Sequence, residues 1–236
     1  MLLPPEIRAV TFDVGGTLIE PWPSVGHVYA AVAARHGATG LSPEALTRRF
    51  GAAWKVRKDF AYTRAEWADL VDRTFAGLCE RPPSESFFDD LYQRFDQPDA
   101  WTMCEDVIPT LDALARRGLK LGVISNWDDR LRPLLGRLGL LGRFETVVIS
   151  CEAGWRKPAA EIFHCAARAL ALAPGALLHV GDSFAADVAG ARRAGLRALH
   201  LRRGAGAGRG GAIRSLGELL PRLGIGRAGG AADKSA

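Results

Sequence analysis

Ile7-Arg8-Ala9-Val10-Thr11-Phe12-Asp13-Val14-Gly15-Gly16-Thr17-Leu18 is a short apolar run that ends on a carboxylate and turns through two glycines. Residues 7–12 are predicted to form a buried strand. A carboxylate at the carboxyl end of such a strand, followed by glycines, stands where open α/β sheets place their chemistry. Three later segments supply matching parts. They are Val123-Ile124-Ser125-Asn126, Arg156-Lys157-Pro158, and Val180-Gly181-Asp182-Ser183 with Asp187. Asp, Ser, Lys and Asp therefore follow one another in order, each after or near a predicted strand.

The rest of the chain supplies the scaffold. Residues 119–124, 144–149, 176–180 and 197–201 also read as buried strands, short, apolar and bounded by turn residues or charges. Amphipathic helices are predicted between them, over 106–117, 129–138 and 159–172, with Gly139 placed to cap the second. Alternating strand and helix predicts a parallel sheet covered on both faces. The interval 21–100 breaks the alternation with four helical patterns and no convincing strand. Val25, Val28, Tyr29 and Val32 share one face; Ser42-Pro43-Glu44 opens a second helix bearing Leu46, Phe50 and Trp54. Trp67, Leu70, Val71, Thr74, Phe75 and Leu78 mark a third, and Phe87, Phe88, Leu91 and Phe95 a fourth. These aromatic stripes are read as core packing. The division expected is an α/β core over 1–20 and 101–224, a helical cap over 21–100, and a flexible tail over 225–236. A last helix over 213–223 is expected to cover the sheet.

Composition excludes several classes. The net charge is +5, but residues 201–236 hold seven Lys/Arg against two Asp/Glu, and residues 1–200 sum to zero. The excess lies among glycines, not on a structured face with aromatics between, so nucleic acid is not expected as a partner. No apolar run approaches a membrane span, and the N-terminus lacks the pattern of a secretory signal, so a cytoplasmic protein is expected. Cys79, Cys104, Cys151 and Cys165 form no close pair and read as reduced thiols.

The four segments point to phosphoryl chemistry. A carboxylate can attack phosphorus and form an aspartyl-phosphate. That attack brings anions together, so a divalent cation and a fixed ammonium are needed. Asp13 is the candidate nucleophile and Asp182 the candidate metal carboxylate. Mg²⁺ takes oxygen ligands, and the Gly15 carbonyl can offer one more. Lys157 balances charge. Ser125 and the amides near Asn126 would hold phosphoryl oxygens, and Asp187 would position either Lys157 or a metal-bound water.

The ordered set resembles the haloacid dehalogenase superfamily over nearly the whole chain. Ile124-Ser125-Asn126-Trp127-Asp128-Asp129-Arg130-Leu131, Glu152-Ala153-Gly154-Trp155-Arg156-Lys157-Pro158 and the Asp13–Leu18 turn look more locally like its domain-containing protein three group. The resemblance implies a Rossmann-like core with an inserted, C1-type helical cap. The ordered Asp, Ser, Lys and Asp set leads us to expect a small phosphorylated molecule as substrate; the resemblance itself implies that Asp13, Asp182 and the Gly15 carbonyl bind Mg²⁺. It names no individual substrate and no oligomeric state.

Position 15 departs from most phosphatases of that superfamily, which carry a second Asp there as general acid and base. Such assistance is worth ~10²–10⁴-fold. Three outcomes fit: a proton supplied by substrate, water or a cap residue (His27, Tyr29, Asp59 or Tyr62); restriction to good leaving groups; or a weakly active or non-catalytic protein that binds a phosphorylated ligand or a protein partner. Gly15→Asp is expected to raise hydrolysis if the surroundings are intact, unless Gly15 needs a positive φ. A dehalogenase fits less well, because Gly181-Asp182 and Asp187 point to a metal. Mutase or phosphonate chemistry would need the second Asp or a cap lysine, and neither Lys55 nor Lys58 has the context of a Schiff base.

Overall fold

The computed structural model describes residues 7–57, 60–204 and 211–225. Five parallel strands form the central sheet: β1 (Ala9–Phe12), β4 (Lys120–Ser125), β5 (Thr146–Ile149), β6 (Leu177–Gly181) and β7 (Arg197–His200). Their spatial order is β5-β4-β1-β6-β7. Phe12 lies opposite Val123 of β4 and Val180 of β6. The chain thus builds outward from β1 to one side and later to the other, and the reversal opens a crevice at the strands' carboxyl ends. All five predicted strands are present, each within two residues of its expected limits.

One sheet face buries Val10, Phe12, Leu121, Val123, Leu178 and Val180 against α5 (Val107–Arg116) and α6 (Leu131–Arg137). The other packs Ala9, Ile124 and Leu177 against α8 (Ala160–Ala169) and α9 (Gly190–Arg193), with α7 (Ser150–Ala153) following β5. Gly139 takes φ +69° after α6, and Leu140 N–H closes on the Leu135 carbonyl at 2.9 Å, ending the helix as expected.

Four cap helices follow: α1 (Val25–Arg35), α2 (Pro43–Lys55), α3 (Arg64–Phe75) and α4 (Phe88–Arg94). Ser42 accepts from Ala45 N–H at 3.2 Å with Pro43 at the first position. Thr63 and Glu66 form a capping box on α3. The cap has its own core of Tyr29, Val32, Leu46, Val71, Phe75 and Leu91. The chain enters and leaves it through an antiparallel ribbon of β2 (Ile19–Pro21) and β3 (Trp101–Met103), which the sequence pattern did not reveal.

Two helices are shorter than expected. Residue 77 is a glycine at φ +73°, so α3 stops at Phe75 and Leu78 lies outside it. In place of a helix over 213–223, Ile213 bridges Leu201, a 3₁₀ turn spans Leu216–Glu218, and α10 (Leu219–Arg222) is one turn long. Arg203 belongs to the fold: it pairs with Asp106 at 2.9 and 3.0 Å and donates to the Thr17 carbonyl. The expected tail beyond Ile225 lies outside the described residues. No described helix is long and apolar enough to cross a membrane.

Candidate active site

The carboxyl ends of the three central strands bring the predicted residues together. Asp13 follows β1, Ser125 ends β4 and Asp182 follows β6. Lys157 arrives from the loop before α8. Its ammonium donates to Asp13 Oδ1 at 2.6 Å, to Asp187 Oδ1 at 2.6 Å and to the Ile124 carbonyl at 2.9 Å. Ser125 Oγ donates to Asp13 Oδ1 at 3.0 Å. The Asn126 side chain donates to the Lys157 carbonyl at 2.9 Å and accepts from Lys157 N–H at 2.7 Å. It therefore fixes the lysine loop. Of the two placements the sequence allowed for Asp187, the structure has the direct bond to Lys157.

Electrostatics follow from burial and pairing. Lys157 is 4 % exposed; burial opposes its charge, but Asp13 and Asp187 outweigh this and raise its pKa. Burial likewise opposes the charge on Asp187, yet Lys157 and the hydrogen bond from His179 hold it below the usual carboxylate range. Asp13 is raised by burial despite Lys157. The low-dielectric cleft, then the charges of Asp13 and Asp187, push the Asp182 carboxyl up to about 7, although its outer edge is open to solvent.

Asp13, Asp182 and Asp187 each offer an oxygen within 4.8 Å of the others. Lys157 pairs with two of the three carboxylates, Asp13 and Asp187, and the donors are all oxygen. That set fits a hard divalent cation such as Mg²⁺. Two glycines make the approach possible. Gly16 sits at φ +72°, where a Cβ would come within 2.7 Å of Asp182 Oδ2. A Cβ on Gly181 would lie 2.2 Å from the Asp187 carboxyl carbon. The positive φ falls at Gly16, not at Gly15 as the sequence reading had allowed.

Sequence reasoning missed several supports. His179 is buried in β6 and bonds Asp187 Oδ1 at 3.1 Å and Thr11 Oγ1 at 3.0 Å. Asp187 accepts only, so Nε2 carries the proton and Nδ1 accepts from Thr11. Burial lowers the His179 pKa, keeping the ring neutral. A histidine inside Leu177-Leu178-His179-Val180 was the available signal. Trp127 was also missed: its ring edge lies 3.2 Å from where a Gly15 Cβ would stand. Asp128 and Arg130 are a third omission; they pair at 2.9 and 2.6 Å, and Arg130 lies 3.4 Å over the Tyr92 ring.

A cavity of about 410 Å³ separates this floor from the cap. Its cap-side wall includes Tyr29, Phe50, Trp54, Tyr62, Trp67 and Phe95. All but Tyr62 are aromatics that the helical stripes had assigned to core packing; Tyr29, Phe50, Trp67 and Phe95 do both. Of the proposed cap donors, Tyr29 and Tyr62 line the cavity, His27 bonds Ser24 Oγ at 2.8 Å outside its lining, and Asp59 lies outside the described residues. Tyr62 sits in the loop between α2 and α3 at φ +63°. Burial is the main cause that pushes its hydroxyl up to about 12, so it stays protonated. Lys55 is exposed at the end of α2, and Lys58 lies outside the described residues.

Comparisons with known proteins agree with this architecture. The family model for haloacid dehalogenase-like hydrolases matches residues 7–195. Over 205 residues the chain is 34% identical to haloacid dehalogenase-like hydrolase domain-containing protein 3 of Bos taurus, covering 82% of this chain and 81% of the relative. It is 41% identical over 105 residues to glyceraldehyde 3-phosphate phosphatase of Methanopyrus kandleri, covering 42% of this chain and 43% of that one. The solved HAD phosphatase from Thermococcus onnurineus matches with a TM-score of 0.65 at 27% identity, covering 94% of this chain and 100% of the other. A parallel sheet whose central strand ends on Asp13 beneath a helical cap, with a family match that spans both, places this chain among the haloacid dehalogenase-like hydrolases.

Proposed function

We propose that the protein is a Mg²⁺-dependent phosphohydrolase acting on a small phosphorylated molecule through an aspartyl-phosphate on Asp13. The observation that carries this reading is the pairing of Asp13 with Lys157 at 2.6 Å, in a cleft that also presents Asp182. The phosphatases among its relatives support the same reaction class. A cytoplasmic location, and a substrate that is neither nucleic acid nor membrane, belong to this proposal.

Asp13 attacks phosphorus; the bond from phosphorus to the leaving oxygen breaks, and its electron pair departs with that oxygen. Lys157 holds the Asp13 carboxylate in place and offsets the crowding of anions. Ser125 fixes the same oxygen of Asp13 by its hydrogen bond, leaving the other carboxylate oxygen for attack. Water then attacks phosphorus and returns the electron pair to Asp13. Asp13, Asp182 and the Gly15 carbonyl would hold Mg²⁺. When bound, the ion supplies positive charge opposite the carboxylates and the phosphoryl oxygens. Asp187 is the anchor for Lys157, and His179 and Thr11 are the anchor for Asp187.

The test is Mg²⁺-dependent hydrolysis of an activated aryl phosphate by the pure protein beside Asp13→Asn. Turnover is expected only in the unsubstituted protein. Equal turnover in the variant would remove Asp13 as nucleophile. A second reading, a ligand-binding protein with little or no turnover, rests on Trp127 standing against Gly15, where other members place an acid. Mg²⁺ binding without hydrolysis across a broad panel of phosphate esters would favour it.

A further inference from the structure

The cavity wall contributed by the cap has an unusual chemistry for a site that admits a phosphate ester. Among the described residues, no Asp, Glu, Lys, Arg, His, Asn, Gln, Ser or Thr between positions 21 and 100 lines it. The polar side-chain atoms that the described cap residues bring to it belong to tyrosines and tryptophans. The rings are also ordered against one another. Trp54 stacks with Trp67 at 5.8 Å between centroids, and Tyr62 meets Trp67 edge to face at 6.1 Å. On the core side Trp101 and Trp127 continue the wall at 5.4 Å. Such flat surfaces receive another flat ring by stacking or by edge contact.

Among the described residues, the cations that line the cavity are already engaged. They are Lys157 and Arg130. Lys157 is held by Asp13 and Asp187. Arg130 is held by Asp128, by the Tyr92 carbonyl at 2.7 Å and by the Tyr92 ring. A second anionic group on the ligand, such as a carboxylate or another phosphate, would meet an apolar wall without a counter-charge.

Position 15 leads to the same class by a separate route. With glycine at 15 and the Trp127 ring against it, no side chain at that position protonates the leaving oxygen. A leaving group that is stable as an anion needs that help least. A phenolic oxygen meets this requirement, and an alkyl hydroxyl does not.

We infer that the substrate class is an aryl phosphate monoester: one phosphoryl group on the hydroxyl of an uncharged, planar aromatic ring system that stacks in the cap wall. This inference rests on the phosphohydrolase reading above. In the first step Asp13 displaces the phenolate, which takes the electron pair of the broken bond from phosphorus to oxygen. In the second, water attacks the phosphoryl group, Asp13 regains its carboxylate and dihydrogen phosphate leaves. One proton then passes from that phosphate to the phenolate through solvent. The sum is aryl phosphate dianion plus water giving the phenol plus hydrogen phosphate dianion, with no other reactant.

The experiment compares kcat/KM for 1-naphthyl phosphate, acetyl phosphate and glycerol phosphate with the full chain and Mg²⁺. Acetyl phosphate carries the better leaving group but no ring, so chemistry alone favours it. The inference predicts 1-naphthyl phosphate at least tenfold ahead of both, and a collapse of its ratio to acetyl phosphate in Trp54→Leu. Acetyl phosphate equal to or ahead of 1-naphthyl phosphate would overturn the aryl class while leaving the phosphohydrolase intact. Turnover of none of the three would overturn the phosphohydrolase reading instead. Calorimetry then decides the ligand class. 1-Naphthyl phosphate bound at least tenfold more tightly than inorganic phosphate sustains it, and equal binding overturns it.

Discussion

The edge of the Trp127 indole stands 3.2 Å from the point where a Cβ on Gly15 would be. Gly15 and Trp127 are thus one feature of the site. The ring lies beside Trp101 at 5.4 Å between centroids, and its backbone exchanges hydrogen bonds with Ser150 at 3.0 Å in both directions. The backbone is thereby fixed, so only the ring can give way. Gly15→Asp alone is therefore expected to cost about 1–3 kcal/mol through overpacking and to yield no gain in hydrolysis. Gly15→Asp combined with Trp127→Ala is expected to relieve the clash while giving up the packing of the indole, and to raise turnover of an alkyl phosphate by ~10-fold or more, part of the range for general acid–base help. Thermal denaturation and steady-state rates on both variants check this. A gain from the single substitution would show that the ring moves aside freely.

Lys157 is the one ammonium between two buried carboxylates. Lys157→Met is expected to destabilise by about 3–5 kcal/mol, since it leaves Asp13 and Asp187 buried and unpaired, and to abolish turnover. Lys157→Met with Asp187→Asn is expected to recover part of the stability and none of the activity. Urea denaturation of the single and double variants measures the coupling.

Asp182 gives the metal-free protein a specific pH response. Its carboxyl is raised in the fold to about 7 from an ordinary 3.8, so the folded state binds more protons than the unfolded one between those values. Stability contributed by this group therefore falls as pH rises from about 4 to about 7. His179 acts in the opposite sense: its pKa is lowered in the fold, so its contribution is lost as pH falls below its ordinary 6.5. The difference in Tm between Asp182→Asn and the wild type isolates the first effect. In EDTA that difference is expected to shift in favour of the variant as pH rises, and the response is muted because the outer edge of Asp182 meets solvent. Saturating Mg²⁺ is expected to reverse it, raising the wild-type Tm and leaving Asp182→Asn little changed.

Tyr62 is the proposed cap donor that feels the charges of Lys157 and Asp13, but a hydroxyl at about 12 is a weak acid near neutrality. Tyr62→Phe is expected to keep kcat within about threefold for an activated ester, since a donor so far from neutral pH contributes little. A loss of a hundredfold or more, with the alkaline limb of the pH–rate profile removed, would identify it as the general acid.

Much of this architecture was legible because it rests on local signals. Each sheet strand is an apolar run with turn residues at its end; Asp13 and Asp182 directly follow one, and Ser125 ends another. Lys157 was found by its order in the chain. The ribbon at the cap entrance was not legible: each strand has three residues, one of them Pro21. The last helix was over-read because its leucine spacing is helical, while Pro221 has no N–H to give the Gly217 carbonyl one turn back, and the segment splits into a 3₁₀ turn and a single helical turn. The packing of Trp127 on Gly15 and the arrangement of the aromatic wall depend on contacts between residues far apart in sequence. Periodicity marks such rings as apolar and cannot tell a packed core from a cavity lining.

The most direct test of the central claim is to quench the protein in acid during turnover of an activated aryl phosphate with Mg²⁺, reduce the trapped acyl phosphate with borohydride, and locate the product by peptide mass spectrometry. The account predicts conversion of Asp13 to homoserine, dependent on both ester and Mg²⁺ and absent from Asp13→Asn. Turnover with Asp13 unmodified, or with the label on another residue, would contradict it.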